Sequence, residues 1–133
     1  MTFEKKTIIA KDAPQGRGPF PQAMRCGPMV FVSGQGPLSP VTNAPITGTF
    51  AEQARQTIRN VQAVLAAADL GLHDIVKATI YLQDSSRIEE FNNIYREIMP
   101  EPWPARTLVC AGLRGIDVEI DVIAIDRTAA AMS

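Results

Sequence analysis

The sequence predicts an α+β domain in which two helices cover one face of a β-sheet. Three observations carry this expectation. Two segments place apolar residues at helical spacing. Five short apolar stretches around them read as strands. Their order (strands, helix, strand, helix, strand, strand) supplies helix enough for one face of the sheet and not for both. A chain of 133 residues fits one domain, 1–133, with one modest core.

The first helix begins at Thr49, and Glu52 three residues on completes a capping-box pattern. Phe50, Ala54, Ile58, Val61, Leu65 and Ala68 form its apolar stripe, and Gly71 marks its end. The second begins near Ser86, with Glu89 as a second capping box and a stripe of Ile88, Phe91, Tyr95 and Ile98. Pro100, Pro102 and Pro104 then forbid helix and stiffen the approach to the next element.

The strands are Lys5 to Ile9, Met29 to Ser33 (ended by Gly34), Ile75 to Leu82, Ala105 to Cys110 and Val118 to Ile125. In the third, Val76, Ala78, Ile80 and Leu82 share a face. Between Ser33 and Thr49 runs a loop rich in Gly, Pro, Asn and Ser. The residues from Thr128 to Ser133 read as a frayed end. The fifth strand is two-faced. Val118, Ile120, Val122 and Ala124 suit packing under the helices, while the opposite row is Glu119, Asp121, Ile123 and Ile125. Two isoleucines on that second row favour burial against other copies of the chain, with the carboxylates where the contact opens into a cleft; the alternative is a partly exposed sheet with scattered apolar residues.

Composition narrows the function. Thirteen basic residues against 14 acidic ones leave a net charge of −1, so no basic footprint for nucleic acid is expected. No apolar stretch approaches the ~20 residues of a membrane span. Met1 to Lys6 lacks the apolar core of a secretory signal, so the expected location is cytoplasmic. Cys26, Cys110 and His73 are too few for a structural zinc site, and no metal is expected. Motifs for nucleotide binding, for a metalloprotease and for a serine nucleophile are absent. His73 reads as a surface residue in a helix-to-strand turn.

Five places can carry chemistry or wall a site. Arg106 follows the proline-stiffened segment at the start of a strand, where a guanidinium fork matches a carboxylate; the alternative is a surface or interface arginine. Glu119 is a mid-strand carboxylate, either a base that orients water or a charge that discourages aggregation. A simple hairpin about Gly112-Leu113 would set Arg106 and Glu119 opposite each other. Ser33-Gly34 offers backbone N–H groups at a strand end, and Phe20 can wall a pocket. Asn92 and Asn93 sit on the second helix, where solvent is the alternative to a role.

Taken in order, Gly18-Pro19-Phe20, Phe31-Val32-Ser33-Gly34-Gln35, Phe91-Asn92 with Tyr95, Pro104-Ala105-Arg106 and Val118-Glu119-Ile120 resemble the YjgF/RidA family of reactive-intermediate deaminases. The resemblance implies a chorismate-mutase-like mixed sheet, with the last strand inserted between two earlier ones. It also implies a homotrimer whose sheets enclose a barrel-like interior, helices outside, with three clefts between neighbours. This replaces the hairpin: Arg106 and Glu119 would converge on a cleft without facing each other.

The implied reaction is hydrolysis of 2-imino acids, released as enamines by pyridoxal-phosphate enzymes, to 2-keto acids and ammonia, with no cofactor. Arg106 would clamp the substrate carboxylate and Glu119 would hold the water. Ser33, Gly34 and Asn92 would line the site, and Leu108 would contact substrate through its backbone. Two departures stand out: Phe20 replaces the family's usual tyrosine, and Leu108 its frequent cysteine. A more apolar pocket favours larger imino acids. The competing functions are a regulatory module that binds 2-keto acids without turnover, and an endoribonuclease or translation inhibitor. The low net charge argues against the latter.

Overall fold

The computed structural model describes residues 2–128, so most of the C-terminal segment expected to fray lies outside the described residues. The strands are β1 (Lys5–Ile8), β2 (Ala23–Cys26), β3 (Met29–Gln35), β4 (Ile75–Leu82), β5 (Ala105–Cys110) and β6 (Val118–Ile125). The helices are α1 (Phe50–Ala66) and α2 (Ile88–Ile98). One mixed sheet runs β1-β2-β3-β6-β4-β5. β6 lies antiparallel to both β3 and β4, and β5 runs parallel to β4 along an edge.

Each helix is the crossover between two parallel strands, so both lie on the same side of the sheet. Their apolar stripes meet the inner row of the strands: Phe50, Ile58, Val61, Leu65, Phe91 and Tyr95 pack with Val30, Val32, Ile80, Leu82, Val118 and Ile120. β6 alternates as its sequence predicts, with Val118, Ile120, Val122 and Ala124 buried and Glu119, Asp121, Ile123 and Ile125 half-buried on the open face. Met29, Phe31, Val76 and Val109 remain exposed.

Several local expectations are corrected. The hairpin read from the residues alone is wrong, and the insertion that the resemblance implies holds: β6 lies between β3 and β4, and β5 and β6 flank β4 without pairing with each other. β3 does not end at Gly34 but continues to Gln35 through an irregularity. Two residues of β3, Ser33 and Gly34, oppose one of β6, which is a bulge. A similar slip between Ile75 and Lys77 turns Val76 outward and buries Ile75 in its place. The second helix is capped differently. Asp84, not Ser86, accepts a backbone N–H (from Ser86, 2.9 Å), opening a 3-10 turn that leads into α2. α1 is capped by Thr49, whose hydroxyl accepts the Glu52 N–H at 3.2 Å as expected. Beyond its other end Asp69, with φ 60°, makes a left-handed turn two residues before Gly71.

β2 was not foreseen. It pairs with β3 across the Gly27-Pro28 turn, Cys26 against Met29, and Gly27 has φ 60°. Its Arg25 bonds Asp126 at 3.3 Å and the Ala68 carbonyl at 3.0 Å.

Candidate functional site

Two cavities carry four of the residues singled out in the sequence, Asn92 and Arg106 in one and Phe20 and Gly34 in the other. The first, about 260 Å³, is lined by Asn92, Tyr95, Arg96, Trp103, Pro104 and Arg106. α2 contributes Asn92, Tyr95 and Arg96, at i, i+3 and i+4, which share one face of a helix. The proline-rich segment brings Trp103 and Pro104 across from them, and the Trp103 indole N–H is tied to the Met99 carbonyl at 3.3 Å.

Arg106 is positioned from two sides. Its Nη2 donates to Asn92 Oδ1 at 2.8 Å, and its guanidinium carbon lies 4.9 Å from the centre of the Tyr95 ring. A cation over an aromatic face is attracted by the ring quadrupole, and the Asn92 bond fixes the rotation of the fork. The remaining donors are free to meet a carboxylate bidentately. Tyr95 is buried, and among the described residues its hydroxyl has no hydrogen-bond partner. Burial raises its pKa, an effect the Arg106 charge opposes.

The second cavity is about 200 Å³. Phe20, Gly34, Gln35 and Gly36 line it with the 14–17 loop. A buried amide holds that loop. Gln22 accepts the Ala10 N–H at 2.7 Å and donates to the carbonyls of Ala10 and Pro14 at 3.0 and 2.8 Å. Asn60, buried on α1, does the same for the segment after β3 by donating to the carbonyls of Gly36 and Leu38, both at 2.9 Å. Ser33 donates its hydroxyl to the Pro21 carbonyl at 2.7 Å, so its oxygen is left to accept. Phe20 is 54% exposed and presents its ring to solvent.

Glu119 adjoins this second group. Its carboxylate occupies the space a side chain at Gly34 would need. Burial, and secondarily the charge of Asp121, raise its pKa above the ordinary carboxylate value. Tyr81, its register partner on β4, donates instead to Asp121 at 3.0 Å. That bond is the chief reason the Tyr81 pKa is raised.

Within one chain Arg106 and Glu119 do not converge. Arg106 is in register with Ala78 and, through it, with Val122, both of the buried inner row. Glu119 is in register with Tyr81, on the open face. Residues in register share a face, so the guanidinium belongs to the helix side at the β5 edge and the carboxylate to the opposite side. Leu108 also sits on the inner row, opposite Ile80, and packs against the core. What it can offer a ligand is therefore its main chain.

Asn92 was read as either lining or solvated, and the structure puts it on Arg106. Arg96 and Trp103 were not singled out. Their signal was the i, i+4 spacing from Asn92 and a tryptophan inside the stiffened segment before Arg106. His73 is exposed as expected. Among the described residues no cluster of His, Cys, Asp and Glu could hold a metal, and no helix is long and apolar enough to cross a membrane.

Comparison with known proteins matches this arrangement over most of the chain. The family model described as Endoribonuclease L-PSP covers residues 10–126. A RutC family protein of Pyrococcus horikoshii is 36% identical over 121 residues, which are 91% of this chain and 96% of that protein. The YjgF gene product of E. coli superposes with a TM-score of 0.84 at 34% identity, covering 92% of this chain and 99% of its own. E. coli TdcF, solved with bound serine, gives 0.83 at 32%, covering 90% and 98%. The chain therefore belongs to the YjgF/RidA/RutC family.

Proposed function

We propose that the protein hydrolyses 2-imino acids to 2-keto acids and ammonia, at clefts between the subunits of a homotrimer. The observation that carries this is the setting of Arg106. A guanidinium fixed by Asn92 and Tyr95 at the mouth of a cavity is a ready carboxylate clamp. The serine bound to TdcF, an amino acid with one carboxylate, is a ligand of the expected kind.

The geometry of one chain supports a site shared between chains, and the three-fold ring is what the family resemblance implies. Arg106 and Glu119 lie on opposite sides of the sheet, so one ligand can meet both only if two chains supply them. The open face carries Met29, Phe31, Ile123 and Ile125, an apolar row suited to a partner. A ring of copies, each β5 edge reaching the next open face, closes with three equivalent clefts.

In such a cleft the reaction needs little machinery. Arg106 binds the carboxylate and places C2 of the protonated imine. Glu119 accepts a proton as water adds its oxygen to C2, giving a tetrahedral amino alcohol. Glu119 passes that proton to the nitrogen, the C–N bond breaks and ammonia leaves, and Glu119 takes the hydroxyl proton so that the C2 oxygen becomes a carbonyl. Fixing the carboxylate and one water supplies proximity, and an adjacent carboxylate stabilises developing positive charge. Ser33, Gly34 and Phe20 line the water side. The Leu108 main chain, on an edge strand, lies beside Arg106.

An amino-acid oxidase would generate the imine, with semicarbazide trapping what survives. The protein should suppress trapping and Arg106→Ala should not; equal behaviour rejects the reading. A keto-acid-binding module would bind 2-keto acids with no turnover even in the parent protein. RNA cleavage, named in the family model's description, is disfavoured by the net charge of −1.

A further inference from the structure

The Arg106 cavity holds a second guanidinium. Arg96 lines it from α2, one turn beyond Asn92, and the described lining contains no carboxylate to offset either charge. Positions i and i+4 on a helix stand about 5–6 Å apart at Cβ. Arg96 is therefore set back by one turn from the residue that holds Arg106. Its Nη1 donates to Asn93 at 3.0 Å, which steadies the side chain and leaves its other nitrogens available.

Besides the two arginines and Asn92, the cavity is lined by the rings of Tyr95, Trp103 and Pro104. A ligand with one carboxylate leaves Arg96 without a counter-charge. A ligand with a carboxylate at each end and methylene between them satisfies both forks and the walls. Arg96 is exposed, so its attraction is screened by water and moderate in size.

We infer that the preferred substrates are dicarboxylic 2-imino acids, such as those formed from aspartate and glutamate, with Arg106 on the carboxylate next to the imine and Arg96 on the distal one. This rests on the imine-hydrolase reading and sharpens its substrate class.

The test compares kcat/KM for the imines of glutamate and alanine, each made by an amino-acid oxidase, in the parent protein, Arg96→Gln and Arg96→Glu. The parent should favour the dicarboxylic imine. That preference should fall about five- to tenfold in Arg96→Gln and further in Arg96→Glu. A parent that hydrolyses both imines but favours alanine's, or a preference unmoved by either variant, overturns the inference and leaves the hydrolase standing. Calorimetry with 2-oxoglutarate and pyruvate separates the other failure. No turnover of any imine, with 2-oxoglutarate bound more tightly in an Arg96-dependent way, rejects the hydrolase and supports the dicarboxylate site. Equal binding of the two keto acids overturns it.

Discussion

The Glu119 carboxylate lies where a side chain at Gly34 would begin: a Cβ built on Gly34 falls 2.6 Å from Glu119 Oε2. The bulge at Ser33-Gly34 and the absence of a side chain together make room for the acid. Gly34→Ala should fold normally, since Gly34 is exposed and its φ is not in the left-handed region. It should push the carboxylate aside and lower kcat by about 10- to 100-fold, as misplacement by an ångström can. Circular dichroism and imine turnover, measured together, check both halves.

Glu119 itself should trade stability for activity. Burial first, then Asp121, raise its folded pKa. Between the ordinary and the raised value the folded chain binds more protons than the unfolded one, so stability falls as pH rises through that window. Glu119→Gln should therefore raise Tm at neutral pH, and the gain should vanish toward about pH 4, where both forms of the chain are protonated. Its turnover should collapse. In the parent, activity should rise with pH as the carboxyl ionises, at a midpoint above that of an ordinary glutamate.

Asn92 positions Arg106 and is not expected to touch chemistry. Asn92→Ala should raise KM by roughly fivefold, about 1 kcal/mol for an exposed bond to a charged group. Arg106→Lys should cost more, because a point charge cannot replace a planar fork. A kcat loss in Asn92→Ala larger than its KM change would count against a positioning role.

The proposed sharing of each site between two chains predicts complementation. Arg106→Ala and Glu119→Ala should each be inactive alone. After unfolding and refolding together, roughly a quarter of the clefts should join an intact Arg106 to an intact Glu119, one half times one half. No recovery in mixed trimers would place both residues in one chain's site.

Asn60 ties α1 to the segment after β3 through two carbonyls. Asn60→Ala should lower stability by about 1–3 kcal/mol, since buried acceptors lose their donor. Urea unfolding reads this directly.

Much of this was legible in the sequence wherever the signal is local. The two apolar stripes, the two-faced β6 and the proline-stiffened approach to Arg106 all depend on residues near one another. Pairing across distance is not legible from local pattern, and only the family resemblance sets the last strand between two earlier ones. Nothing near Gly112 reveals that β4 separates β5 from β6, so the hairpin failed and the opposite facing of Arg106 and Glu119 went unseen. The outward Val76 follows from a register slip against β6, which periodicity within β4 cannot show. β2 was missed because Arg25 interrupts its apolar alternation, its charge being met by Asp126 from far along the chain. Arg96 resembled any charged residue on a helix until the fold set it beside Arg106.

The place of β6 in the sheet has a consequence for synthesis. It is the last of the six strands in sequence, yet it lies between β3 and β4. While the ribosome is still making it, β3 and β4 have no shared neighbour, and the two halves of the sheet are held only by the helix between them. The sheet therefore cannot be assembled strand by strand as it emerges. Its closure waits for the final segment, which must enter a prepared slot with long-range partners on both sides. Chains cut short before Val118 should thus be left with two unpaired inner edges, ready to aggregate rather than to fold in part.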